Sequence, residues 1–261
     1  MHRLIKEFKP YHKLLKDFTL FVPHYISHES PQIYSSGAIS PEHCLGGGKF
    51  CASPKYELGV IEGRIILLED IREKCVYNMA YNTTDDTTSP NLYWEYMSSF
   101  YDTCINIDTP KFDHECAYDV ADAIGIGSSQ VKDCMAKSFS VSDYNELLFT
   151  NNNTLLESDD LVRQKFKVQM FPNVMVNSKP ILGAYTAENL FEAVCAGFIN
   201  KPKPCKEYFT VEQIEDGTKP DSDTWWGTIF LIIFCIVALN LFLIWVCIKY
   251  IMKKIHERVD N

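Results

Sequence analysis

Cysteine is the residue type best placed to do chemistry here: ten occur in a chain of 261 residues. Cys235 and Cys247 fall inside an apolar run, and the other eight are Cys44, Cys51, Cys75, Cys104, Cys116, Cys134, Cys195 and Cys205. Three chemistries compete for such a set: thiol–disulfide exchange, metal binding and structural disulfides. Exchange needs a thiolate, best held at a helix N-terminus with a resolving cysteine nearby. The stretch with the form of such a site, VPHYISHESPQ (residues 22–32), carries Ser30 in its turn, and no cysteine precedes Cys44. A serine hydroxyl has no comparable reaction with a disulfide, so Ser30 marks a degenerate redox position, and Cys44 and Cys51 are too widely spaced for a Cys-x-x-Cys pair. Zinc sites favour closely spaced cysteine pairs; no Cys-x-x-Cys occurs, and His114-Glu115-Cys116 stands alone. No catalytic, metal-binding or cofactor-binding residue is therefore assigned, and no cofactor is expected. Eight cysteines outside the apolar run point to a disulfide framework in an oxidising compartment. Asn82-Thr83-Thr84 and Asn152-Asn153-Thr154 are N-glycosylation acceptors suited to the same compartment. His24, His28, His43 and His114 are of a type that titrates between early and late secretory pH, although an ordinary surface or core role is commoner. Gly46-Gly47-Gly48 lacks the Lys-Ser sequel of a phosphate loop and reads as a flexible turn.

The net charge of −9 argues against nucleic acid as a partner. Residues 225–248, WWGTIFLIIFCIVALNLFLIWVCI, carry no charge and only one strongly polar side chain, Asn240. That length suits a helix across a hydrocarbon core of roughly 30 Å, with membrane lipid as its surroundings. Lys249, Lys253, Lys254 and Arg258 follow the run, whereas Glu215, Asp216, Asp221 and Asp223 precede it. The positive-inside rule then puts the tail, 249–261, in the cytosol and residues 1–224 in the lumen. The opening MHRLIKEFKPYHKLLKDF has no continuous apolar core, so this type I reading expects a leader upstream of Met1. A tail-anchored cytosolic adaptor is the alternative; it requires eight reduced cysteines and a translocated basic tail.

The elements that must position these residues follow from pattern. LIKEFKPYHKLL is amphipathic and expected to be interrupted at Pro10, and residues 18–26, FTLFVPHYI, read as a buried strand. RIILLEDIREKCVYNMA, SPNLYWEYMSSFYDTC, HECAYDVADAIG, SSQVKDCMAK and ESDDLVRQ read as helices, with the aromatic stripe of the second facing the core. NNNTLL reads as a solvated loop. KFKVQMFPNVMVNSKPILGAY reads as two antiparallel strands about a turn at Asn177-Ser178-Lys179, and TAENLFEAVCAGF as a helix capped by Thr186. An early strand and a late hairpin separated by helices imply an α/β fold: a thioredoxin-like sheet with a disulfide-rich helical insertion (about 60–165), followed by a single transmembrane helix. Pro172, just before the hairpin, is the candidate cis-proline. The domains expected are a lumenal module, 1–205, a juxtamembrane linker, 206–224, the span, 225–248, and the tail.

Several of these segments occur in one order in a known family. FVPHYIS, GGGKFCA, LEDIREKCVYN, LYWEYMSSFYDTC, ECAYDVADAIGI, VKDCM, FPNVMVNSKPILG and LFEAVCAGF resemble the cysteine-rich central module of plant-type vacuolar sorting receptors, over roughly residues 4–205. The resemblance implies a non-enzymatic single-pass receptor that binds soluble cargo proteins in the secretory or endosomal lumen, for vacuolar or lysosomal sorting from Golgi, prevacuolar or vacuolar membranes. The departures are specific. The family's signal peptide, protease-associated domain and EGF-like repeats are not in this sequence. The family usually has a cysteine in the turn where this chain has Ser30. Tyr250-Ile251-Met252-Lys253 lacks the bulky apolar fourth residue of a tyrosine-based adaptor signal, which argues against adaptor binding through the tail. A membrane-anchored thiol oxidoreductase is the other reading. On the lumenal reading the cysteines are structural, and the pairing taken is Cys44–Cys51, Cys75–Cys134, Cys104–Cys116 and Cys195–Cys205, one of 105 connectivities.

Overall fold

The structure, a computed structural model, describes residues 2–28, 42–54, 61–82, 89–106, 111–145 and 150–207, and then 232–237, 239–240, 242–245 and 248–249. Two compact units divide the chain, Met1–Lys206 and Glu207–Asn261. The first is a helix-rich α/β module braced by disulfides. Its elements are α1 (His2–Leu15), β1 (Cys44–Leu45), β2 (Phe50–Cys51), α2 (Gly63–Asn82), α3 (Ser89–Phe100), α4 (His114–Ala123), α5 (Ser128–Ser138), α6 (Thr154–Phe166), β3 (Met175–Val176), β4 (Lys179–Pro180) and α7 (Ala187–Ala196).

Helix α2 is the axis of this unit and packs against α3, α5, α6 and the β1–β2 hairpin. Residues 67–69 and 71–77 are all buried, so the helix has no solvent face along its middle turns. Its start is set by a close approach. A Cβ on Gly63 would lie 1.9 Å from the Ala52 carbonyl oxygen, so only glycine admits the hairpin there. The aromatic stripe of α3 faces inward as expected, with Tyr93, Trp94, Tyr96, Met97 and Phe100 buried. Trp94 gathers Phe8, His12 and Phe21 around it, at ring separations of 5.9, 4.5 and 4.8 Å.

Two local expectations are corrected and a third is given its geometry. Pro10 does not interrupt α1, which continues to Leu15. The proline forfeits one main-chain bond, but Phe8, Tyr11, His12 and Leu15 bury the helix against α3 and α7. NNNTLL is not simply a solvated loop. Asn153 is fully buried and caps α6, accepting from the Leu155 and Leu156 amides at 3.1 Å, while its own amide donates to Ser138 Oγ at 2.8 Å. The three glycines form the expected turn: Gly46, Gly47 and Gly48 all have positive φ (61°, 64° and 99°) and close the hairpin that pairs Cys44 with Cys51.

The expected central sheet is not assembled among the described residues. Two separate two-stranded antiparallel hairpins are present, β1–β2 and β3–β4. Residues 19–27 run without a ladder, and only His28 bridges Cys51. The late hairpin does form, with Asn177 and Ser178 at its turn in positive φ (51° and 66°). In the second unit, the described residues 232–237, 239–240, 242–245 and 248–249 are helical, and Asn240 donates its amide to the Ile236 carbonyl one turn back, at 2.8 Å. Among the described residues no helix is long and apolar enough to cross a membrane.

Candidate functional site

The segment that opened as a strand is held by side chains instead of a neighbouring strand. Tyr77 Oη on α2 donates to the Phe21 carbonyl at 2.7 Å, and Lys74 Nζ donates to the Pro23 carbonyl at 2.7 Å. Asp159 on α6 completes the grip. Its Oδ2 accepts from the Tyr25 amide at 3.1 Å, while Oδ1 lies 2.7 Å from both Lys74 Nζ and His24 Nδ1. A buried main chain must satisfy its polar groups somewhere; here two helices supply the partners, which is why no ladder is needed. The segment ends where His28 exchanges both main-chain bonds with Cys51, at 2.8 and 2.7 Å.

His28 also lies edge-on to Phe171, with ring centroids 5.9 Å apart. The Phe171–Pro172 peptide bond is cis. Ser30 lies outside the described residues, so its separation from Pro172 is not defined. Asn82 ends α2, and its side chain likewise lies outside the described set. Asn152 is exposed beside the α6 cap, with Oδ1 3.3 Å from Lys49 Nζ and Nδ2 3.1 Å from Glu157 Oε2. The four histidines are dispersed. His43 Nδ1 accepts from the Gly63 amide at 3.2 Å, and His114 packs on the edge of Tyr118.

Inward of the gripped segment is a cluster that the sequence reading missed: Glu69, Arg72, Glu73 and Lys74, all buried on α2. Glu69 pairs with Arg72 and accepts from Tyr96 Oη at 2.8 Å. The Arg72 guanidinium lies 4.7 Å from the centroid of the Tyr118 ring. Glu73 is hydrogen-bonded to Tyr25, whose hydroxyl is 3.0 Å from that of Tyr93. Burial pushes the Glu73 carboxyl well above its ordinary value, with Glu69 and Asp70 adding to the rise against the opposing pull of Tyr25 and Arg72. Tyr25, Tyr93 and Tyr96 are held well up by the same burial. Burial thus disfavours both the Glu73 anion and ionised phenols here, and the cluster is tied together by hydrogen bonds between α2, Tyr25 and α3. The available signal was the run Glu69-Asp70-Ile71-Arg72-Glu73-Lys74, which puts charge on every side of one helical turn.

The sulfurs form four bridges: Cys44–Cys51, Cys75–Cys134, Cys104–Cys116 and Cys195–Cys205. Cys75–Cys134 ties α2 to α5, Cys104–Cys116 ties the π-helical turn after α3 (Tyr101–Ile105) to α4, and Cys195–Cys205 ties α7 to the turn Lys203–Cys205. Among the described residues the only free thiol is Cys235, in the second unit.

These features define a class: a helix-rich α/β module whose cysteines are consumed in staples. The family model for the vacuolar sorting receptor thioredoxin-like domain matches residues 1–195, and the chain belongs to that family. Vacuolar-sorting receptor 3 of Arabidopsis thaliana is 27% identical over 207 residues, and vacuolar-sorting receptor 1 of Pisum sativum is 26% identical over 207 residues. Vacuolar-sorting receptor 6 of Arabidopsis thaliana is 26% identical over 204 residues. Each match covers 77% of this chain and 31% of the relative, so the chain spans about a third of the length of these proteins.

Proposed function

We propose that the chain is a non-enzymatic, single-pass membrane receptor-like protein that binds soluble cargo proteins in the secretory or endosomal lumen for vacuolar or lysosomal sorting. One observation carries the reading: in a chain of this family, every cysteine ahead of the apolar run is bonded in one of four disulfides. Such staples brace a small module in an oxidising compartment and leave no thiolate for exchange. Residues 1–205 are the lumenal, thioredoxin-like cargo module, with the insertion at about 60–165. Residues 206–224 are the linker, 225–248 the span in membrane lipid and 249–261 the cytosolic tail, which lacks a strong adaptor signal. Asn82 and Asn152 carry glycans. Nucleic acid is not a partner, given the net charge of −9.

The test combines loss of the gene with direct binding. Cells lacking the chain should secrete a defined set of soluble vacuolar or lysosomal proteins, and the immobilised chain should retain purified members of that set. Normal sorting together with no retention would sink the proposal. An insulin-reduction rate above background would instead favour the oxidoreductase.

A further inference from the structure

We propose that the face carrying the β3–β4 hairpin and the end of α7 is a membrane-docking surface that rests on the anionic headgroups of the bilayer in which the chain is anchored. The inference depends on the membrane-anchored reading above and adds a lipid contact made by the folded module itself. Two features coincide on this part of the chain. Residues 165–206 carry Lys165, Lys167, Lys179, Lys201, Lys203 and Lys206 against Glu188 and Glu192, a net +4 within a chain of net −9. All six lysines are exposed. Elsewhere Lys6, Lys9, Lys49 and Lys74 are matched to carboxylates, on Asp102, Glu95, Glu157 and Asp159. Among the described residues Lys179, Lys201, Lys203 and Lys206 have no such partner.

The second feature is apolar. Met170 is 79%, Leu182 91% and Ile199 99% exposed, and Phe171 is also exposed. Met170, Phe171 and Leu182 flank the open end of the hairpin, because Ile181 pairs with Val174. Ile199 lies near the turn end, because Asn177 Nδ2 donates to the Gly197 carbonyl at 3.0 Å and a Cβ on Gly197 would lie 2.9 Å from Val176 Cγ1. Apolar side chains that stand this far into solvent, with exposed lysines close by in sequence, have the chemistry of an interfacial contact: apolar tips for the acyl boundary and cations for the headgroups. A binding groove for a peptide would instead shelter its apolar residues.

Proximity strengthens the contact. The apolar run starts at Trp225, 19 positions after Lys206. A fully extended linker of that length reaches only about 65 Å. The effective concentration of the bilayer near the module is therefore high, and a weak intrinsic affinity suffices.

The experiment uses the full chain reconstituted in vesicles of phosphatidylcholine, with or without phosphatidylserine, and a shallow spin-labelled lipid as quencher. An environment-sensitive dye is placed at Ile199→Cys or Leu182→Cys, with Cys235→Ser and Cys247→Ser removing the native thiols. Asp119→Cys, on exposed α4, is the control position. The expected result is quenching at 182 and 199 but not at 119, stronger by about threefold or more with phosphatidylserine and weakened by salt. Replacing Lys201, Lys203 and Lys206 by Gln should abolish the phosphatidylserine dependence. A dye on native Cys235, in a Cys247→Ser chain with a deep quencher, reports whether the span is inserted. Quenching at 235 without quenching at 182 or 199 overturns the docking surface and leaves the anchor standing. No quenching at 235 removes the anchored reading, and the docking surface with it. A dye at 182 or 199 that ignores lipid but shifts to the blue on addition of a purified cargo protein overturns the lipid assignment and gives the face to a protein partner.

Discussion

Glu73 is hydrogen-bonded to Tyr25 beside Tyr93, with Glu69 and Asp70 nearby, and burial together with those two carboxylates raises its carboxyl well above the ordinary value. A carboxyl whose folded-state value is raised contributes stability below its unfolded value, 4.5, and loses it as pH rises through the raised folded value. Glu73→Gln keeps the neutral shape and removes that loss. The variant should melt higher than the parent at about pH 8 and match it near about pH 4, a divergence with rising pH that thermal denaturation across a pH series would reveal or refute. His12 works in the opposite sense. Burial, helped by Lys16, lowers it from 6.5 to about 4. Its ring is stacked 4.5 Å from Trp94, Nε2 lies 3.1 Å from Tyr81 Oη, and Nδ1 has no partner among the described residues. The unfolded chain therefore binds the proton first. Stability present above pH 6.5 is lost as pH falls toward about 4, by about 3 kcal/mol in total. His12→Phe keeps the stack and should flatten that slope in urea titrations; an unchanged slope would show that other groups set it. Asp159 is a third case. It neutralises Lys74 and holds the Tyr25 amide in a site that is 2% exposed on the aspartate side. Asp159→Asn leaves the ammonium unmatched and should cost about 3–5 kcal/mol.

Caps and staples determine which elements survive such changes. Asn153→Ala removes two amide acceptances and the bond to Ser138 while keeping the Asn152-x-Thr154 triplet, so it should cost about 1–2 kcal/mol with glycosylation unchanged. Among the staples, Cys75–Cys134 spans 59 positions and Cys44–Cys51 only 7. Chain-entropy arguments give about 4 kcal/mol for the first and about 2.5 for the second, so the paired Ala variants should lose stability in that order. Much at this scale was legible in the sequence. Helices α2 to α7 follow from apolar spacing and from cap residues such as Thr186, and the hairpin follows from Asn177-Ser178. The burial of charge on α2 was not legible, because its partners (Tyr25, Tyr96 and Asp159) lie far away in sequence, and periodicity compares a residue only with its own helix. Residues 18–26 read as a sheet strand but form no ladder, for the same reason: composition reports a backbone that can pair, while Tyr77, Lys74 and Asp159 decide what it pairs with. At the candidate site, cysteine number and spacing spoke for a framework, but which sulfurs meet depends on how α2, α4 and α5 pack. A serine in a turn could say what chemistry is missing and not what the turn touches.

For the molecule as a whole, the staples and the apolar run make a joint claim that one labelling experiment can separate. Ten cysteines less the eight in bridges leaves two, Cys235 and Cys247, both in the apolar run. A chain drawn from cells under acid quench, unfolded without reductant and alkylated, should take up two labels, and ten after reduction. The two should map to the peptide holding residues 225–248. If the module is cytosolic, reducing conditions keep thiols free, and most of the eight would be labelled before reduction. Topology then follows from the same preparation. In sealed microsomes, protease added outside should trim no more than the short basic tail, and endoglycosidase on the protected fragment should increase its mobility if Asn82 or Asn152 carries a glycan. The two readouts are independent: the bridges depend on the redox state of the compartment, whereas protection depends on which side of the bilayer the module occupies. Two labels with full protection is the combination a lumenal, membrane-anchored module requires. Eight or more labels with complete digestion would place the same fold in the cytosol and remove the compartment in which its cargo is proposed to be met.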